Sequence, residues 1–255
     1  MWNAELYNRF GKQRIQPSMD LVNRIVIEDC TRILDVGCGS GMSTLCIRSK
    51  FPKAEIVGVD LSESMLEKAT QLMEDVQWLQ RDCSKKLEDL GKFDLIFSNA
   101  FLQWLDDQES FIRNIKSLLS DKGILAMQIP NCEEMEIAKI IKQVVTAYDY
   151  EHTLFTDIKA NYFNYTANEY YDMFTRYYTD VEMWQTNYYH QMKDYEEIIQ
   201  FISSTALMPY LECLSAEQTD EFLGLLKKEM ANYYKVSENG KVLFPFHRLF
   251  FIVKA

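Results

Sequence analysis

Residues 33–44 read ILDVGCGSGMST: an apolar run that breaks into glycines at 37, 39 and 41 and then resumes with helical character. A continuous apolar run bounded by turn residues is how a strand buried on both faces reads, and a strand followed directly by a glycine turn and a helix opens a βαβ crossover. Glycine at alternate positions allows a tight turn and lets a ligand come close to the backbone. The same rhythm continues through AEIVGVD, SESMLEKATQLME, VQWLQ, FDLIFSN, a helix expected at about 108–119, and GILAMQIP. Strands alternating with helices predict an α/β fold, a doubly wound and mostly parallel sheet covered on both faces.

Beyond Pro130 the pattern changes. Residues 135–148 are helical in period, and the glycine-free, tyrosine-rich stretch YDYEHTLFTDIKANYFNYTANEYYDMF that follows reads as a cap. VEMWQTNYYHQM alternates as a strand, helices are expected at about 195–207 and 215–234, and VLFPFHRLFFIVKA closes as an apolar strand. Two last strands bring the sheet to seven. The expected organisation is a single domain over 1–255, with helical cap insertions at about 131–180 and 194–235.

Composition narrows the partners. The formal net charge of -11, with no basic cluster to offset it, argues against a nucleic-acid ligand, because a polyanion is repelled by the summed field. No apolar run is long enough to span a membrane, and MWNAELYNRF lacks the basic-then-apolar order of a secretory signal. The six cysteines form no CxxC pair, and only three histidines are present to complete a metal site. The expectation is a soluble cytoplasmic monomer with reduced thiols, no metal and no membrane contact.

In a doubly wound sheet the ligand sits outside the carboxyl ends of the strands, where the strand order reverses. Asp35, Gly37, Gly39 and Gly41 lie at the end of the first strand, and Asp60, followed by Leu61, ends the second, where its carboxylate can accept both hydroxyls of a ribose. A dinucleotide fingerprint would need glycine or alanine at position 42, which is Met42, and no GKS or GKT follows for a phosphate loop. The remaining pattern, DxGxGxG, resembles the class I methyltransferases that bind S-adenosylmethionine, a cofactor with no pyrophosphate. That resemblance implies that Asp82 bonds the adenine amino group, with Cys83 as a neighbouring backbone donor, and that Asn99 lies by the methionine moiety and the reacting methyl. Taken singly, Asp82 could cap a helix and Asn99 could simply end a strand; the four landmarks in order favour the cofactor.

The chain further resembles the trans-aconitate methyltransferase family essentially from end to end. The family opening WN-x-x-LY-x-x-F is present as Trp2, Asn3, Leu6, Tyr7 and Phe10, and its N-A-x-LQW motif as Asn99, Gln103 and Trp104 in NAFLQWL. YYHQM is present as Tyr188 to Met192, and the closing RLF as Arg248, Leu249 and Phe250. The resemblance implies transfer of the cofactor methyl to a carboxylate of trans-aconitate or a related small acid. A carboxylate is already ionised at neutral pH and needs no general base. No catalytic acid or base is therefore expected, only positioning and exclusion of water. An acidic substrate in an acidic protein calls for local cations: Arg14 and Arg248, with His190 and the hydroxyls of Tyr188 and Tyr189. Arg248 reads equally well as half of a structural ion pair and His190 as a packing histidine. Trp2, Tyr7 and Trp104 are candidate walls of the cofactor pocket.

The chain departs from the family at Met208 and Gln185, where arginines are expected, and through its cap, and fewer cations suit a less charged acid. Malonyl-acyl-carrier-protein methyltransferase shares the SN-x-x-x-QW pattern but calls for a basic docking face. A methyltransferase of a longer apolar acid and a cofactor-binding domain without catalysis are the remaining alternatives.

Overall fold

A computed structural model describes residues 10–152, 154–155 and 165–254. Trp2, Asn3, Leu6 and Tyr7, and residues 153 and 156–164 of the tyrosine-rich stretch, lie outside the described residues.

Seven strands form one sheet: β1 (Arg32–Val36), β2 (Glu55–Asp60), β3 (Gln77–Gln80), β4 (Phe93–Asn99), β5 (Leu119–Pro130), β6 (Asp180–Met192) and β7 (Val242–Lys254). Their order is β3-β2-β1-β4-β5-β7-β6. β1 to β5 pair in parallel, and β7 runs antiparallel to β5, from Ile124 opposite Lys254 to Pro130 opposite Arg248. The chain leaves β1 for β2 on one side and returns as β4 on the other, so the order reverses at β1, where the glycines lie. The doubly wound, mostly parallel seven-stranded sheet is the predicted architecture.

The chain divides into two compact units, residues 14–130, 165–186 and 248–255 forming one and residues 1–13, 131–164 and 187–247 the other. In the first, helices α1 (Gly11–Arg24), α2 (Met42–Lys50), α3 (Glu63–Leu72) and α4 (Gln108–Lys116) accompany the parallel strands. Residues 11–24, ahead of the first strand, are thus helical. Lys50 donates to the carbonyls of Val22 and Ile25 at 2.7 and 2.6 Å, satisfying acceptors left open at the end of α1. The core of this unit includes Val36, Val59, Ile96, Leu125 and Phe251, all essentially inaccessible to solvent. Burial of each such side chain is worth about 1.5–3 kcal/mol.

The cap boundary differs from the expectation. Helix α6 (Ala167–Thr175) belongs with the sheet unit rather than with a cap over 131–180. Its Tyr170, Met173 and Phe174, spaced to share one face, enter the sheet core; the Tyr170 hydroxyl donates to Gln108 Oε1 at 2.9 Å, and Phe174 packs on Phe251 with ring centroids 4.7 Å apart. A capping box, Thr166 with Glu169, starts this helix.

The second unit has its own core, built from α5 (Glu136–His152), α7 (Tyr195–Ser203), α8 (Met208–Leu211) and α9 (Ala216–Tyr233). Ile140, Tyr148, Ile198, Phe222, Leu226 and Met230 meet there, and the Tyr148 hydroxyl donates to Glu221 Oε2 at 3.0 Å. Ser215 and Gln218 form the capping box that starts α9. Among the described residues no helix is long and apolar enough to cross a membrane, and no cluster of three or more histidine, cysteine, aspartate or glutamate side chains is placed to hold a metal.

Candidate active site

Three left-handed glycines shape the turn after β1: Gly37, Gly39 and Gly41 have φ of 68°, 53° and 81°. A β-carbon on Gly37 would come within 2.3 Å of the Phe101 ring, and one on Gly58 in β2 would come within 2.3 Å of Trp78. Both glycines therefore make room for aromatic rings beside the turn. Gly39 differs, since among the described residues a β-carbon there would meet nothing within 4 Å. That is the bareness a ligand requires.

Asp60 ties the turn to the end of β2. Its Oδ2 accepts from the Gly39 N–H at 2.9 Å, and its Oδ1 from the Ser62 N–H, also at 2.9 Å, at the start of α3. A carboxylate has about four acceptor positions, so two remain for a ligand's hydroxyls. Leu61 is 66% exposed beside it.

Asp35 is buried, with its Oδ2 accepting from Thr44 Oγ1 at 2.6 Å and from Ser43 Oγ at 3.4 Å. Its carboxylate therefore pins the first turn of α2 to β1, and its part in holding a cofactor is indirect. Burial pushes its carboxyl up to about 7, against the pull of the two hydroxyls. Burial likewise raises the thiols of Cys38 and Cys83, with Asp35 and Asp60 adding to the effect, which keeps both thiols neutral.

Asp82 is exposed after β3, and one of its oxygens accepts from the N–H and hydroxyl of Ser84 at 2.9 and 2.6 Å; the two bonds hold its carboxyl below the usual range. Asn99 ends β4, and its Oδ1 is buried with no hydrogen-bond partner. The next residue, Ala100, takes the left-handed conformation at φ 56°, uncommon for a residue with a β-carbon. Its carbonyl is held by Gln103 Nε2 at 2.7 Å and by the Trp104 indole N–H at 3.2 Å. The NAFLQW motif is thus a self-bonded corner: Trp104, a candidate pocket wall, turns its polar edge to the backbone that aims Asn99.

The candidate acceptor residues divide between the two units. Arg14 is half-buried on α1 and Arg248 is buried on β7 in register with Pro130, both in the sheet unit. Tyr188, Tyr189 and His190 belong to the other unit, on β6. His190 is 8% exposed among the rings of Phe201, Phe244 and Phe246, with centroids at 5.4, 6.5 and 5.9 Å, the setting of a packing histidine. Strand alternation puts Tyr189, 59% exposed, on the face opposite Tyr188 and His190, so the three cannot converge on one ligand. Trp78 and Phe101 escaped the sequence pattern, although Gly58, a glycine inside an apolar strand, signals the close approach of one of them.

A family profile described as "Methyltransferase domain" matches residues 27–200. The chain is similar to trans-aconitate 2-methyltransferase of Enterobacter sp. (strain 638), at 32% identity over 99% of this chain and 98% of the relative. It is similar to the protein of the same name from Escherichia coli (strain K12 / DH10B) at 31% identity, with the same coverage of both chains. Among solved structures, the YcgJ protein from Bacillus subtilis superposes with a TM-score of 0.61 at 15% identity, covering 93% of this chain and 97% of that one. The plantazolicin methyltransferase BpumL, solved in complex with SAH, superposes with a TM-score of 0.54 at 14% identity, covering 98% and 88%. The two structures speak to the fold.

Proposed function

The chain belongs to the S-adenosylmethionine-dependent methyltransferase family, and on that premise we propose that it esterifies a carboxylate of a small organic acid, trans-aconitate or a related polycarboxylate. The observation that carries the choice of acceptor is chemical. Among the described residues, the polar side chains at the carboxyl ends of β4 and β5 that lack a hydrogen-bond partner for a buried atom are the amides Asn99 and Gln128, and Gln103 adds a third on the corner that follows β4. Amides neither accept nor release a proton at neutral pH, so this end of the sheet suits a nucleophile that arrives ionised, as a carboxylate does.

The residues fit the cofactor. Gly39 presents backbone to open space, Asp60 keeps acceptor positions beside it, and Asn99 carries an orphaned carbonyl at the next strand end. In this reading Asp60 takes the ribose hydroxyls, Leu61 lies along the adenine, Asp82 and the Cys83 backbone meet its edge, Gly37 to Gly41 border the methionine moiety, and Asn99 and Trp104 stand by the sulfonium. When bound, S-adenosylmethionine supplies a methyl group whose bond to sulfur breaks, leaving the electron pair on sulfur, as the new bond to the acceptor oxygen forms, with no proton moved. The chain's own part is to hold the acceptor oxygen in line and to exclude water. Arg14 and Arg248 are the cations of the sheet unit assigned to the acid's carboxylates, since a guanidinium matches a carboxylate in a bidentate fork. Tyr188, Tyr189 and His190, in the other unit, are assigned no contact with the acid.

The test is transfer of labelled methyl to trans-aconitate, cis-aconitate, isocitrate, malonyl carrier protein and a medium-chain fatty acid in parallel. Base-labile label on a tricarboxylate is the expected result. Label on the carrier protein or the fatty acid alone would overturn the choice of acceptor.

A further inference from the structure

Gln128 is a polar residue inside an otherwise apolar strand segment, ILAMQIP, and it is 1% exposed. Among the described residues neither its Nε2 nor its Oε1 has a hydrogen-bond partner. In the parallel register of β4 and β5 it stands beside Asn99, and in the antiparallel register of β5 and β7 beside Phe250, so the three side chains share one face of the sheet. Asn99 contributes a second orphaned carbonyl, and Phe250 is stacked on Trp184 with centroids 4.9 Å apart and planes 6° from parallel. The result is a pair of neighbouring amides, Gln128 buried and Asn99 half-buried, with an aromatic pair at the edge.

A buried amide without partners costs the fold about 1–3 kcal/mol. Methionine or leucine would fill the same space without that cost, so the amide serves something other than folding. The strand order says what. Asp60 ends β2, the glycine turn ends β1, Asn99 ends β4, and Gln128 lies one strand further, on β5. A ligand with its ribose at Asp60 and its reactive end at Asn99 therefore has Gln128 on the far side of the reactive end, where the acceptor enters.

We propose that Gln128 is a positioning residue for the acceptor, its carboxamide donating N–H bonds to the carboxylate oxygen that does not attack. This rests on the assignment of Asn99 to the reacting methyl. The carboxamide offers two N–H donors and no charge, which orients a carboxylate without holding it as tightly as an ion pair would.

Gln128→Met and Gln128→Glu, in the full chain, separate the possibilities. For Gln128→Met the expected results are a melting temperature equal to or a few degrees above wild type, because an unsatisfied buried amide is removed. Affinity for S-adenosylhomocysteine, by calorimetry, should stay within about twofold, while the KM for trans-aconitate rises by roughly 10- to 100-fold. Gln128→Glu, facing a carboxylate with a carboxylate, should lose more activity than Gln128→Met. A fall in melting temperature with unchanged kinetics would make Gln128 a structural amide and overturn the proposal. So would weakened S-adenosylhomocysteine binding with an unchanged acid KM, which would assign it to the cofactor. If wild type does not turn over trans-aconitate, the choice of substrate has failed separately, and the kinetic comparison is made with whichever acid of the panel wild type does esterify.

Discussion

The backbone N–H of Gly39 donates to Oδ2 of Asp60 across 2.9 Å, so the turn after β1 and the carboxylate that ends β2 form one hydrogen-bonded unit. The other oxygen of Asp60 accepts from Ser62 at the start of α3. On the proposed assignment, Asp60→Ala removes the ribose acceptor and loosens the turn together. Affinity for S-adenosylhomocysteine should fall by about 100-fold, as befits loss of two charge-assisted bonds. Asp60→Asn keeps one acceptor oxygen and should lose less. Titration calorimetry on both variants checks the order; equal affinities for wild type and Asp60→Ala would remove Asp60 from the cofactor site.

Gly37 and Gly39 look alike in sequence and should respond differently to alanine. At Gly37 the added methyl would stand 2.3 Å from the Phe101 ring, in a left-handed backbone, so Gly37→Ala should lower the melting temperature markedly. At Gly39 the methyl meets open space, and the cost to folding is the left-handed conformation alone, about 1–2 kcal/mol. Gly39→Ala should nevertheless impair cofactor binding, because its methyl fills ligand space. Thermal melts with and without S-adenosylhomocysteine give both numbers, and a Gly39→Ala protein still stabilised by ligand as strongly as wild type would refute the assignment.

Asp35 should impose a pH dependence on stability. Burial raises its folded carboxyl to about 7, so the folded chain holds this proton to a higher pH than the unfolded chain does. Its contribution is complete below about pH 4 and is lost as pH rises through about 7. Asp35→Asn is uncharged throughout and can still accept from Thr44. The variant should therefore gain on wild type between pH 5 and pH 8, by on the order of a few kcal/mol. Urea unfolding at four pH values in that range decides it, and parallel curves for the two proteins would mean that Asp35 titrates as an ordinary carboxylate.

The central strands were readable from the chain because β1, β2, β4 and the C-terminal parts of β5 and β7 are buried on both faces and so run mostly apolar, from ILDV in β1 to FFIV in β7. The glycine turn was readable for a related reason: Gly37, Gly39 and Gly41 have positive φ, a backbone demand that leaves a mark on residue type that packing does not. Helix α6 was misplaced into the cap because its tyrosines look alike whether they face a ligand or a core; only the bond from Tyr170 to Gln108 and the contact of Phe174 with Phe251 show the core. The ring of Trp104 reads as a candidate pocket wall in the sequence, but the bond from its indole N–H to the Ala100 carbonyl is not legible there. Gln128 carried a legible sign, a single amide in an apolar strand, but its importance depends on the absence of partners, which no sequence pattern reports.

Arg248 supplies the sharpest test of the acceptor. It is 8% exposed, opposite Pro130 at the end of the β5 ladder, close in register to Gln128. Arg248→Lys keeps the charge but loses the planar fork, and Arg248→Met keeps the length while removing the charge. If the guanidinium holds a carboxylate of the acid, both variants fold, both bind S-adenosylhomocysteine as wild type does, and the KM for a tricarboxylate rises by about 10-fold for lysine and more for methionine. A monocarboxylic acid, with one anionic group to lose, should be affected less than a tricarboxylate. A structural ion pair predicts the opposite: the melting temperature falls by several degrees, because breaking a buried pair costs about 3–5 kcal/mol, and the residual folded protein keeps its KM. Melting curves and steady-state kinetics on the two variants therefore distinguish an anchor from a brace.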